Sequence, residues 1–215
     1  MRFLWFGKTV EQAKQEVPKL QEQEMVNQEN EISVLKNGLR QFEYGFSEMD
    51  HAFHPNQGFL GSHAATALRD LETAQRQVLN ARLYGKEVLR RAAKLEKDLI
   101  KIRDGDAQSK SDKKVTYFTD QEWQIIATAK RLDARTKDIS EKIRDLIVKL
   151  QHVDKETKNV EQVGAQLGAE ARQIKRALEK LVEEMEALLR LEKTAGQLMK
   201  QYSLLYEPTA PAKSH

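Results

Sequence analysis

The chain has 215 residues, 32% charged and 40% hydrophobic, with 10 Gly, 4 Pro and no Cys. The lack of Cys excludes a disulfide framework, a thiolate zinc site, iron–sulfur ligation and a cysteine nucleophile, and no window approaches the roughly 18 consecutive apolar residues of a spanning helix. A net charge of +3 does not by itself imply nucleic acid or an acidic partner, and so few Gly and Pro leave room for few turns, so the expected class is all-α: an elongated helical bundle or coiled coil of three long helices.

Residues 1–7, MRFLWFG, form an aromatic stub. Its apolar run is shorter than the core of about 7 to 15 residues in a signal peptide, so a cytoplasmic location is expected. Flanked by Arg2 and Lys8, the residues Phe3, Leu4, Trp5 and Phe6 suit the headgroup boundary of an anionic membrane and are candidate membrane contacts, which would place the protein at the inner face of the membrane. The same four side chains could instead fold back and plug the end of a bundle. A single helical domain is expected over 8–206, with a disordered tail at 207–215.

Helix 1 is predicted over 10–49, opened by a capping box at Thr9 and Gln12. Its stripe is Ile32, Leu35, Leu39, Phe42, Phe46, Met49 and Phe53; an earlier stripe of Val10, Ala13, Val17 and Leu20 is out of register with it, and Pro18 predicts a kink or restart. The stretch DHAFHPNQGFLGS, 50–62, reads as a connector that ends in an N-cap candidate, Ser62.

Helix 2 is predicted over 63–103, with Leu68, Leu71, Val78, Val88, Leu95, Leu99 and Ile102 among its apolar positions. At 100° per residue, Arg82, Lys86, Arg90, Lys94, Lys97 and Lys101 fall within about 120° of one another on the other side. This ridge is a candidate surface for lipid phosphates or a nucleic-acid backbone, or else the ordinary solvated face of a bundle; without interleaved aromatics it does not suggest base stacking. A polar loop follows at 104–114, then VTYF, an isolated β-like patch.

Helix 3 is predicted over 120–206. Thr119 and Glu122 form a capping box, and Phe118 and Trp123 a hydrophobic staple. A heptad follows, with Ile125, Leu132, Ile139, Leu146, Val153, Val160, Leu167, Ile174, Leu181, Leu188, Ala195 and Tyr202 at d. The a positions are Ala129, Thr136, Ile143, Leu150, Thr157, Gly164, Ala171, Leu178, Met185, Glu192, Met199 and Tyr206, so 20 of the 24 core positions are apolar. Unbroken, this helix would span roughly 130 Å. Gly164 and Gly168 mark 157–168 as the place where it would break to give four helices of similar length; the unshifted heptad favours continuity.

Between 21 and 50 two bases face seven acids, whereas 82–103 carries eight bases against three acids, so helix 1 of one subunit could meet the ridge of another, or the two could pair within one chain. His51, His54 and His63, with Glu48 and Asp50, gather around the connector and could ligate zinc or a similar ion, as in a metal-dependent bundle enzyme, but the H-x-x-H step lies at a helix end before Pro55 and H-E-x-x-H is absent. Unliganded histidines are expected, and no metal or cofactor is assigned. There is no Gly-rich phosphate loop, no G-x-S-x-G and no pair of E-x-x-H motifs of the di-iron kind, so no small-molecule substrate or catalytic role is assigned.

An aromatic stub, long helices of opposite local charge and one very long helix make the chain similar in outline to the ESCRT-III and phage-shock-protein A group of membrane-remodelling filaments. That outline implies a scaffold that self-associates or binds partner helices at a membrane. The chain departs from it in its acidic first helix and in lacking an acidic C-terminal region. The expected partners are further copies of the chain or another coiled-coil protein, and an anionic membrane surface; nucleic acid, bound through the ridge, is the alternative.

Overall fold

The computed structural model describes residues 10–54, 58–106, 113–154 and 157–205. They form α1 (Val10–Ala52), α2 (Gly61–Asp106), α3 (Lys113–Gln151) and α4 (Val160–Leu205), and a two-residue antiparallel pair, β1 (Phe53–His54) with β2 (Gly58–Phe59). The class is all-α, with four helices of 43, 46, 39 and 46 residues in place of three.

The expected continuous third helix is therefore two helices. Every a and d position from Ile125 to Leu150, and again from Leu167 to Ala195, is buried, so the periodicity locates the core on both sides of the break. The chain reverses between the end of α3 at Gln151 and the start of α4 at Val160. The His152 and Val153 N–H groups close α3 on the Lys149 and Leu150 carbonyls, and Asp154 N–H donates to Thr157 Oγ1, which donates back to Asp154 Oδ1. Asn159 then adopts φ 59°, a left-handed conformation that Asn tolerates better than most residues, and its carbonyl caps α4 by accepting Val163 N–H. A heptad records which residues face a core and not whether the chain is continuous, so roughly one turn length in seven preserves its phase.

The glycines expected to mark the break lie inside α4. Gly164 makes room for a neighbour, since a Cβ there would come within 2.7 Å of Phe53 Cγ. Other boundaries also move. VTYF and the capping box at Thr119 sit inside α3, because extending a formed helix is easier than nucleating one and a lone strand has no partner. Helix α1 runs through Pro18 without a restart. Leu60, not Ser62, caps α2: its N–H donates to the Ala52 carbonyl at 2.9 Å and its own carbonyl accepts Ala64 N–H.

A strict alternation of four and three residues carries the α1 face that meets α2: Glu24, Gln28, Glu31, Leu35, Gly38, Phe42, Gly45, Met49 and Ala52 are all buried. The α2 seam, Ala67, Leu71, Ala74, Val78, Ala81, Gly85 and Val88, keeps the same spacing and sets small residues between larger ones. Small residues let the backbones approach closely; a Cβ on Gly45 would sit 3.0 Å from Leu71 N and 3.1 Å from the Ala67 carbonyl oxygen. Burying each large apolar side chain stabilises the fold by about 1.5–3 kcal/mol.

Helix α1 packs on α2 and α4, and α3 packs on the same two helices. Ion pairs set the directions: Lys36–Glu186 (2.6 Å), Glu43–Lys175 (2.8 Å) and Glu29–Lys193 (2.8 Å) run α4 antiparallel to α1, while Lys149–Glu170 (2.7 Å) and Arg135–Glu184 run it antiparallel to α3. Acids of α1 thus meet bases of α4 in the same chain.

Candidate functional site

The outward face of α2 holds Lys86, Arg90 and Lys94 of the predicted ridge. Opposite the buried seam stand Leu79 (45% exposed) and Leu83 (63% exposed), one turn apart, followed at helical spacing by the exposed Lys86, Arg90 and Lys94. Lys97 and Lys101 follow on the same helix. Arg82 departs from the expected water-facing ridge: it turns to α3 and its Nε donates to Asp133 Oδ1 at 3.2 Å, with both side chains largely buried. Arg90 donates twice to Glu87, at 2.9 and 2.7 Å, and Arg91 bridges Glu87 and, at 2.5 Å, Gln23 of α1. Hydrogen bonds from Arg90 and then Arg91 hold the Glu87 carboxyl down at about 2. Phe3, Leu4, Trp5 and Phe6 lie outside the described residues.

Part of the interior is polar; the heptad placed Thr136 and Glu192 at core positions, but sequence reasoning missed Glu24, Gln28, Glu31 and Ser140. Glu24, Gln28 and Glu31 of α1, Thr136 and Ser140 of α3 and Glu192 of α4 are buried. Gln28 Nε2 donates to Glu192 Oε1, and Thr136 Oγ1 returns its proton to the Leu132 carbonyl at 2.8 Å. A cavity of about 20 Å³, room for about one water, is lined by Gln28, Glu31, Gly85, Asp133 and Leu188 among others. Desolvation, reinforced by the nearby negative charge of Asp133, pushes the Glu31 carboxyl up to about 8, so it holds its proton at neutral pH. The signal was available: stepping back from Leu35 by four and three lands on Glu31, Gln28 and Glu24.

The connector brings together three residues to which the sequence assigned no ligand role. Glu48 and His51 lie one turn apart near the end of α1, and His63 lies in the first turn of α2. His63 Nδ1 is 2.8 Å from Glu48 Oε2, and the His51 and His63 rings are 5.6 Å apart. His54 is placed on β1 opposite Gly58. Of the five residues that the sequence places around the connector, these three converge: Glu48 and His51 form a single E-x-x-H, and its partner arrives from the next helix and not from the same one.

Among the described residues no helix is long and apolar enough to cross a membrane. No family model matches the chain, and no curated protein matches it.

Proposed function

We propose that the protein is a non-enzymatic helical scaffold that associates with further helices, from its own copies or a partner, through the outward face of α2. In this reading the four helices form an elongated antiparallel bundle of about 65 Å, and Phe3, Leu4, Trp5 and Phe6 bring it to an anionic membrane surface. The observation that carries the reading is the pairing of Leu79 and Leu83, 45% and 63% exposed, with Lys86, Arg90 and Lys94 on one face. Two leucines one turn apart beside a row of bases suit the apolar edge and acidic flank of an amphipathic helix. Charge on the rim would steer the encounter, while the leucines would supply the buried area.

Sedimentation velocity of the full-length chain across a concentration series, beside co-sedimentation with anionic vesicles, tests this. Self-association should weaken at least tenfold in the Leu79→Ser, Leu83→Ser double variant, and vesicle binding should be lost on deleting residues 1–7. A chain that stays monomeric and binds neither vesicles nor helical partners sinks the proposal. Salt-sensitive binding to duplex DNA that survives the deletion would replace it with backbone recognition through the ridge.

A further inference from the structure

Glu48, His51 and His63 are the one group of three or more histidines and acids among the described residues whose ligand atoms converge, all lying within 4.8 Å of one another. The geometry points to a site for a divalent transition-metal ion of the zinc class that clips the end of α1 to the start of α2.

A three-residue step along α1 puts Glu48 and His51 on one face, and the turn back into α2 lowers His63 onto that face from the other side. The turn itself is fastened independently of these side chains. Leu60 N–H bonds the Ala52 carbonyl at 2.9 Å, β1 pairs with β2, and the Phe53 and Phe59 rings lie 5.5 Å apart, so the three candidate ligands project from a braced corner and not from a loose loop.

Donor chemistry selects the ion. Two imidazoles and one carboxylate suit Zn²⁺, Ni²⁺ or Cu²⁺, whereas Ca²⁺ and Mg²⁺ prefer all-oxygen shells. Bonds of about 2.0–2.1 Å around a tetrahedral ion set the ligand atoms about 3.4 Å apart, so the trio needs to contract by at most about 1.4 Å. Side-chain rotation can supply that: His51 is exposed, and the His63 and Glu48 side chains are 42% and 32% exposed. The contact between His63 Nδ1 and Glu48 Oε2 is one that a bound ion would replace. Three protein ligands leave the fourth position to water. The site stands apart from the outward face of α2, and its existence does not depend on what that face binds.

Co²⁺ titration of the metal-stripped, full-length chain, followed by Zn²⁺ displacement and calorimetry, tests the site. One equivalent of Co²⁺ should bind with the intense visible bands of low coordination and be displaced by Zn²⁺. His51→Ala and His63→Ala should each weaken Zn²⁺ binding at least tenfold, and His152→Ala should leave it unchanged. At a hundredfold excess of free Zn²⁺ over its Kd, Tm should rise by roughly 5 to 10 °C in the unaltered chain and by no more than about half as much in His51→Ala. Circular dichroism confirms that each variant is folded; Glu48→Gln, which keeps a hydrogen-bonding oxygen but removes the charge, gives an independent check and should also weaken binding. Absence of stoichiometric binding, or binding that His51→Ala and His63→Ala leave intact, overturns the site.

Discussion

The carboxylate of Glu31 lies over the bare Cα of Gly85: a Cβ on Gly85 would come within 2.6 Å of Glu31 Oε1. A glycine on α2 thus makes the space in which an acid on α1 is buried, beside Asp133 of α3.

That burial makes stability depend on pH. Glu31 holds its proton to about pH 8 in the fold, whereas an unfolded glutamate loses it near 4.5. Across that window the folded chain binds more protons, so Glu31 lowers stability as pH rises, by up to about 1.4 kcal/mol per unit. Below the window the cost is absent, and above it the full cost applies. Gln mimics the protonated acid without titrating. Urea unfolding of the unaltered chain and Glu31→Gln from pH 5 to 9 should show the variant gaining relative stability as pH rises, by a few kcal/mol in all. A difference that stays flat over this range contradicts the buried, protonated state.

Arg82 should behave as a residue of the fold and not of the binding ridge. Its pair with Asp133 is largely buried, with side chains 25% and 17% exposed, so removing the guanidinium leaves an interior carboxylate unpaired close to Glu31. Arg82→Ala is expected to cost about 1–3 kcal/mol, while Lys86→Ala, on the exposed face, stays within about 0.5 kcal/mol. Equal effects in chemical denaturation would show that Arg82 is as solvated as its neighbours on the ridge.

Much of the fold was legible because helix faces are written in the sequence with a period near 3.5. The buried heptads of α3 and α4 are the clearest case. What periodicity could not carry was direction: Leu150 and Leu167 keep phase across a turn set by Asp154, Thr157 and Asn159, whose local hydrogen bonds leave no hydrophobic trace. The small and polar core residues of α1 and α2 were missed. Ala67, Ala74, Ala81, Gly38 and Gly45 lie in the α1–α2 interface because close approach, not bulk, is what they supply there. Of the ridge, Lys86, Arg90 and Lys94 are exposed as helical spacing expects, whereas Arg82, at the edge of that face, turns to α3, whose place beside it the spacing alone does not show. The convergence of His63 on Glu48 and His51 needed the fold of the connector, since a residue fifteen positions away enters no local motif.

Gly164 should tolerate no side chain while Phe53 is present. Its Cα faces the Phe53 ring, and an added methyl would sit 2.7 Å from both Cβ and Cγ of that residue, too near for the rigid aromatic to yield without moving β1. In a free helix Gly→Ala stabilises by about 1 kcal/mol; here overpacking should reverse the sign, giving a net loss of about 1–3 kcal/mol. Phe53→Leu should relieve part of that loss when combined with Gly164→Ala. Additive effects in a double-mutant cycle would mean that the two residues do not touch.

The last turn tests whether the break between α3 and α4 is set by backbone conformation. Asn159 occupies φ 59°, where a Cβ costs roughly 1–2 kcal/mol for most residues, less for Asn, and essentially nothing for Gly. Asn159→Gly should therefore leave thermal stability within about 0.5 kcal/mol of the unaltered chain, whereas Asn159→Ala should lose about 1 kcal/mol and Asn159→Val more. The order Gly, Asn, Ala, Val follows from the left-handed conformation alone. If 159 instead lay within a continuous helix, helix propensity would put Ala first and Gly last. The ranking of Ala against Gly in a denaturation series thus separates a reversal at Asn159 from an unbroken rod.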